Sequence, residues 1–457
     1  MSNRIKNRKI KPLSTTQLIL LSFVAVILVG SLLLCLPIST KAGVSVSYVD
    51  ALFTATTATC VTGLVTLPTV STWSVFGQIV ILVLIQIGGL GIITVLSGIT
   101  VAMAKRLKLR DSRLIGDAFN LNSLEGLNKF IKKVIIGTLA VEGTGALLYM
   151  TVFVPQLGAR GIWVSVFTSV SAFCNAGIDI IATDSLCSYS TNTAINLITC
   201  ALIILGGLGY IVWWDVLRVI KSYRTQKLKC FKMLTLHTKI VLSATALLIF
   251  GGAILIFVFE YSNPQTIGNM SLYNKIQVSF FQSVTTRTAG FASIPQENLT
   301  NASAFLSIML MFIGGSPVGT AGGIKTVTVA VLICTAYALI TNKNEVSVFN
   351  RSLSVKIARK AVAVGVASFS IMFISTVLLS AVMDAPALDI LYETVSATAT
   401  VGLTRNLTPF LNLWGKLIII VTMYLGRIGP ISLAIAFSYS KEASNSIKNP
   451  VEEISVG

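Results

Sequence analysis

A glycine-ended motif recurs four times along the chain at nearly constant intervals. Gly63, Gly177, Gly290 and Gly402 lie 114, 113 and 112 residues apart. Ten positions before each stands an aromatic residue: Phe53, Phe167, Phe280 and Tyr392. An apolar residue follows each glycine, and aspartate stands thirteen before the first and fourth, as Asp50 and Asp389. A second echo lies 24 to 29 residues beyond each glycine, as Gly88-Gly89-Leu90-Gly91, Gly206-Gly207-Leu208-Gly209, Gly314-Gly315 and Gly426-Arg427-Ile428-Gly429. Its simplest reading is close helix packing, which small residues permit. A period of this kind means that one supersecondary unit recurs and that the units bury their surfaces against each other.

The surroundings of the motif decide what that unit is. Hydrophobic residues make up 54% of the 457 and charged residues only 11%. A soluble domain carries about 25% charged residues, and a disordered chain carries little apolar material. Apolar stretches near 14–37, 74–104, 129–154, 195–221, 239–261, 303–341, 360–383 and 413–440 are long enough for a bilayer core of about 30 Å. The chain therefore reads as an all-α polytopic membrane protein. It is built from four concatenated helix–pore-loop–helix repeats, with eight spanning helices and four re-entrant half-helices around a central pore. The repeats occupy 14–104, 129–221, 239–341 and 360–440. A basic N-terminus (1–13) precedes them and a tail (441–457) follows. The N-terminus looks superficially like a secretory signal, but the run Leu18 to Leu36 is long for one and lacks a clear cleavage site. It reads as a retained first helix.

Charge sets the orientation. Of 35 Lys and Arg residues, 27 fall in 1–13, 105–133, 218–239, 343–360 and the tail, all on the face that carries both termini. Basic loops stay in the cytoplasm, so both termini are expected there, in a multi-pass protein of a cell membrane. The net charge of +18 then needs no nucleic acid.

The four loops read Cys60-Val61-Thr62-Gly63, Cys174-Asn175-Ala176-Gly177, Arg287-Thr288-Ala289-Gly290 and Ala399-Thr400-Val401-Gly402. Irregular backbone at membrane depth survives only when buried in protein or lining a watery cavity. Four like loops satisfy that by meeting on one axis, where their carbonyls replace the hydration shell of an ion. Glycine takes backbone angles that a Cβ forbids. Helix C-termini facing the axis favour a cation. The loops hold no carboxylate apart from Asp179 just beyond Gly177, which leaves an acidic ring for divalent ions unsupported. With no CxxC pair and His237 the only histidine, the sequence gives no support to a zinc site, a haem site or a His-dependent triad. A membrane enzyme would need a nucleophile–base pair or a metal set that this chain lacks.

These loops, the run Leu84-Ile85-Gln86-Ile87-Gly88-Gly89-Leu90-Gly91 and the segment Gly426-Arg427-Ile428-Gly429-Pro430 resemble the Trk/Ktr/HKT superfamily of potassium transporters. More narrowly, the chain resembles the KtrB-like membrane subunit of bacterial Ktr uptake systems, over about residues 14–440. It implies K+ as the substrate ion, held by the backbone carbonyls of the sixteen loop residues, and no cofactor in this chain. It also implies a homodimer in a bacterial plasma membrane, with a cytosolic nucleotide-binding ring of KtrA-like regulatory subunits and, in many members, stimulation by Na+. A glycine in all four loops matches the potassium-selective pattern. The alternative is a less selective or Na+-coupled monovalent cation transporter.

The sixth apolar stretch departs from its siblings. Gly314-Gly315-Ser316-Pro317-Val318-Gly319-Thr320-Ala321-Gly322-Gly323-Ile324-Lys325 carries five glycines and a proline. Such a sequence breaks a helix. Gly319 to Thr326 nearly fits a phosphate-binding loop, but Ile324 replaces the glycine before Lys325 and no strand precedes it. The expected role is a flexible plug below the filter, as in the resembling family. Arg427, in mid-span, is expected to face inward and bond plug carbonyls rather than snorkel. Lys325 is open between a gating role and reaching the cytoplasmic surface. Glu142 reads equally as a packing partner or a functional group, and Asp215 as a local cap.

Overall fold

The structure is a computed structural model that describes residues 15–91, 127–222, 232–343 and 345–429. The expectations for 1–13, 441–457, and the far ends of 74–104 and 413–440 fall outside those residues. Hydroxyl and amide side chains start many of the helices. Ser47, Ser74, Asn192, Thr235, Ser271, Thr300 and Asn412 each accept a hydrogen bond from a backbone N–H three positions on. Such a cap satisfies a donor that has no partner within the helix.

In chain order the helices are α1 (Thr15–Leu34), α2 (Tyr48–Cys60), α3 (Val75–Leu90), α4 (Leu127–Leu157), α5 (Ala159–Cys174), α6 (Thr193–Leu208) and α7 (Tyr210–Lys221). They continue as α8 (Leu236–Glu260), α9 (Leu272–Thr285), α10 (Asn301–Phe312), α11 (Thr326–Ile340), α12 (Val355–Val382), α13 (Ala387–Ala399) and α14 (Leu413–Ile428). A small antiparallel hairpin pairs Ser347–Val348 with Arg351–Ser352. The helices α2, α5, α9 and α13 have 13 to 16 residues. At 1.5 Å per residue they reach about 20–24 Å, short of a bilayer core.

Among the described residues, four helices are long and apolar enough to cross a membrane, or five if α6 and α7 count as one. Two of the apolar stretches are divided, the fourth against expectation and the sixth where its glycines and proline predict a break. The expected helix over 195–221 bends by 99° between α6 and α7, because Gly209 has φ 88 and ψ 142. Gly91 (82, 132) and Gly429 (85, 138) adopt the same conformation after α3 and α14. The stretch 303–341 is broken between α10 and α11, where the glycine–proline run lies.

Packing differs from that of a soluble protein at both the interior and the surface. The short helices bury polar side chains, among them Thr54, Thr56, Thr57 and Thr59 in α2. The long helices turn large apolar side chains outward, including Leu247, Phe250 and Ile254 of α8 and Val366 and Phe369 of α12. Apolar surface of this extent requires a nonaqueous surrounding. The glycine pairs pack as small residues should. A Cβ on Gly88, Gly206 or Gly426 would lie 2.0–2.1 Å from the carbonyl oxygen of Thr59, Phe173 or Thr398. Each carbonyl is four residues before a loop glycine, so in these three sets the second helix presses directly on the end of a short one.

Candidate functional site

The short helices α2, α5 and α13 end on left-handed residues, Val61 (φ 55), Asn175 (φ 59) and Thr400 (φ 51). In the third set the left-handed residue is Thr288 (φ 66), after Thr286 has closed α9. Two positions further on, Gly63, Gly177, Gly290 and Gly402 take φ 103, 63, 83 and 97. All four loops thus share one alternation of backbone handedness, and the second left-handed position is the one that demands glycine.

The glycines meet. A Cβ on Gly63 would stand 2.5 Å from the Ala176 carbonyl oxygen, and one on Gly177 would stand 2.5 Å from that of Ala289. One on Gly290 would be 2.4 Å from the Val401 oxygen, and one on Gly402 would be 2.2 Å from the Thr62 oxygen. First touches second, second third, third fourth, and fourth first. The contacts form a closed four-membered cycle made only of glycine Cα atoms and the carbonyls one residue earlier in the neighbouring loop.

Four fully buried hydroxyls behind the loops are absent from the sequence reading. Thr57 Oγ1 accepts from Gly63 N at 3.0 Å and Ser396 Oγ from Gly402 N at 3.0 Å. Ser171 Oγ donates to Ile178 O at 2.5 Å, and Thr285 Oγ1 donates to Phe291 O at 2.6 Å. A hydroxyl six residues before the glycine, or five in the third loop, is the signal that could have found them.

The segment 313–325 lies against these loops. Gly322 N donates to Thr288 Oγ1 at 3.2 Å, and Thr320 Oγ1 donates to Phe173 O at 3.0 Å. A Cβ on Gly322 would fall 1.9 Å from Thr400 Oγ1. The segment is also stitched to the α6–α7 bend. Ser316 N donates to Gly207 O, Thr320 N to Gly206 O, and Tyr210 N to Val318 O, at 2.9–3.1 Å. Its ends pair with each other through Gly314 N to Ile324 O and Thr326 N to Gly315 O, both 3.0 Å. Ser316 Oγ and Thr326 Oγ1 lie 3.0 Å apart.

Two arginines hold this segment. Arg427 Nη1 donates to Thr320 O at 2.7 Å and Nη2 to Gly88 O. Arg287 is buried, and its Nη2 donates to Gly314 O at 3.1 Å. Its side chain therefore bonds segment 313–325, a contact the sequence does not reveal. Lys325 does not reach for a surface. Its Nζ turns back to Ala321 O at 2.6 Å and Gly322 O at 3.3 Å. Glu142 is buried behind the second loop, accepting from Gln86 Nε2 at 3.1 Å and from the Cys174 thiol at 3.7 Å. Asp215 accepts from Thr235 N and Oγ1, both at 2.9 Å, and from Arg218. Among the described residues no group of three His, Cys, Asp or Glu side chains is disposed to hold a metal ion.

Comparison with known proteins places the chain. The signature of the TrkH family, described as cation transport protein, matches residues 7–448. The chain belongs to the TrkH family. It is 39% identical to the Ktr system potassium uptake protein B of Bacillus subtilis over 442 residues, 96% of each chain. It is 38% identical to the potassium/sodium uptake protein NtpJ of Enterococcus hirae, over 99% of each. The crystal structure of the potassium transporter TrkH from Vibrio parahaemolyticus matches with a TM-score of 0.74 at 17% identity, covering 96% of this chain and 87% of that one. This TrkH-family chain accordingly has a predominantly helical, TrkH-like fold, and as a member of a cation transporter family it is not an enzyme.

Proposed function

We propose that the protein takes up potassium selectively across the cell membrane, through a pore in which the carbonyls of residues 60–63, 174–177, 287–290 and 399–402 replace the ion's water. The single observation that carries this reading is the closed cycle of glycine–carbonyl contacts. It gathers four loops with no charged group but Arg287, whose guanidinium bonds Gly314 and Thr245 carbonyls. Entry of a monovalent cation gains about 2.3 kcal/mol per 100 mV of membrane potential, so no chemical step is needed. Segment 314–325, with Lys325 and Arg427, is the gate. Counted as in the sequence reading, eight spans and four repeats surround one pore, and both termini are cytoplasmic.

The 39% identity to a protein named for a Ktr system supports a subunit of a multi-component potassium uptake system; a homodimer with a cytosolic nucleotide-binding ring, stimulated by Na+, is what the family resemblance adds to that reading. A second reading, a less selective or sodium-coupled transporter, is favoured by the 38% identity to an uptake protein named for both potassium and sodium. Rubidium flux into vesicles holding the purified protein, with sodium as competitor, separates the two. Flux unaffected by a large excess of sodium supports the first reading; parallel sodium entry supports the second; no flux of either ion overturns both.

A further inference from the structure

We propose that Thr57 and Ser396 are positioning residues for ion selectivity. By holding the amide of the loop glycine, each hydroxyl turns a second successive carbonyl toward the ion. This rests on the reading of the loops as an ion filter.

The argument starts from the planar trans peptide, in which the N–H and the preceding C=O point in opposite directions. In the first loop Thr62 N donates to Thr57 O at 2.8 Å, so the Val61 carbonyl faces away from α2. In an extended chain the next peptide would reverse. Here it does not, because Gly63 N donates to the side chain of the same residue, Thr57 Oγ1, at 3.0 Å. The Thr62 carbonyl is thereby turned to the same side. An independent contact agrees, since the Thr62 oxygen is the atom that a Cβ on Gly402 would meet, on the side where the neighbouring loop lies.

The fourth loop repeats this in detail. Val401 N donates to Ser396 O at 2.8 Å and Gly402 N to Ser396 Oγ at 3.0 Å, and the Val401 oxygen lies against Gly290. One residue holds two consecutive amides, one through its backbone and one through its hydroxyl. The second and third loops use the hydroxyl differently. Ser171 and Thr285 donate to the carbonyl just after the glycine and draw it back from the ring. The brace on the glycine amide belongs to loops one and four.

Both hydroxyls are wholly buried, and an alkyl side chain in their place offers the amide no acceptor. An unpaired buried amide favours rotation of its peptide toward another acceptor, and that rotation takes the carbonyl with it. The consequence is loss of ion preference rather than loss of the fold.

The test is potassium and sodium uptake by the purified full chain in lipid vesicles, for Thr57→Val, Ser396→Ala, the conservative Thr57→Ser, and Thr54→Val. Thr54→Val removes another buried hydroxyl from the same helix, one that bonds Asp50 O instead of a loop. We expect Thr57→Val and Ser396→Ala to lower the potassium-over-sodium preference roughly three- to tenfold, through a higher KM for potassium at little-changed maximal rate. Thr57→Ser and Thr54→Val are expected to keep the wild-type preference. Wild-type preference in both Thr57→Val and Ser396→Ala overturns the proposal, and so does an equal loss in Thr57→Ser, which would assign the effect to packing. If Thr57→Val does not assemble, Ser396→Ala decides alone. Wild-type protein that transports without preference would instead refute the filter reading itself.

Discussion

The Arg427 guanidinium lies 2.7 Å from the Thr320 carbonyl oxygen, 107 residues away in the chain, and its other terminal nitrogen bonds Gly88 O. One side chain of α14 thus joins the end of α3 to the middle of the segment beneath the loops. A charge-assisted hydrogen bond contributes about 1.5–3 kcal/mol, and about 1.4 kcal/mol is tenfold in an open–closed ratio. Arg427→Ala is expected to raise maximal potassium flux several-fold with selectivity intact. Arg427→Lys should fall between the two, because lysine keeps the charge and loses the fork. Initial uptake at matched membrane abundance is the measurement, and equal rates in all three would remove Arg427 as a latch.

The loop glycines should tolerate no side chain without a change in ion preference. A Cβ at any of the four would come within 2.2–2.5 Å of the next loop's carbonyl oxygen. Serine at Gly63, Gly177, Gly290 or Gly402 must therefore displace that oxygen by a few tenths of an ångström or more. We expect a lower potassium-over-sodium preference in each variant, read from competitive uptake. Unchanged curves for all four would contradict the assignment.

Shortening residues 315–322 is expected to raise the uptake rate. The segment bonds the loops through Gly322 and Thr320, so on the proposed gate reading its removal opens the path while the loop carbonyls stay in place. Slower transport by a normally expressed deletion would show that the segment is a structural brace.

Lys416 Nζ and Asp50 Oδ1 are 2.6 Å apart, with side chains 19% and 12% exposed. The pair ties α14 to α2 across 366 residues of chain. Lys416→Met and Asp50→Asn should each lower thermal stability in detergent by on the order of 1 kcal/mol. The double variant should cost less than the sum of the two. Strict additivity would show that the pair contributes nothing.

Much of this arrangement was legible in the sequence because it is written in glycine. Gly63, Gly177, Gly290 and Gly402 are required by backbone angle and by contact at once, and both demands leave a mark at fixed spacing. The run from Gly314 to Gly323 was equally plain, since five glycines and a proline cannot continue a helix. The hydroxyls of Thr57, Ser171, Thr285 and Ser396 were not. Serine and threonine are common in the short helices, and the third loop shifts the offset by one residue. Nor could spacing show the direction of Lys325 or Arg287, whose long side chains choose among acceptors from several elements. The bend at Gly209 looked like one more packing glycine, because spacing alone does not show which glycine of a cluster takes a positive φ.

The cycle of loop contacts has a consequence for how ion preference is altered. In a ring of four identical chains, one codon changes every corner simultaneously. Here the corners are encoded separately, and the carbonyls that touch the glycines already belong to different residues: Thr62, Ala176, Ala289 and Val401. On the filter reading proposed above, a substitution therefore perturbs one quarter of an ion's surroundings while three quarters stand. Preference between two cations of equal charge becomes adjustable in small increments, each weak enough for the chain to remain a working transporter.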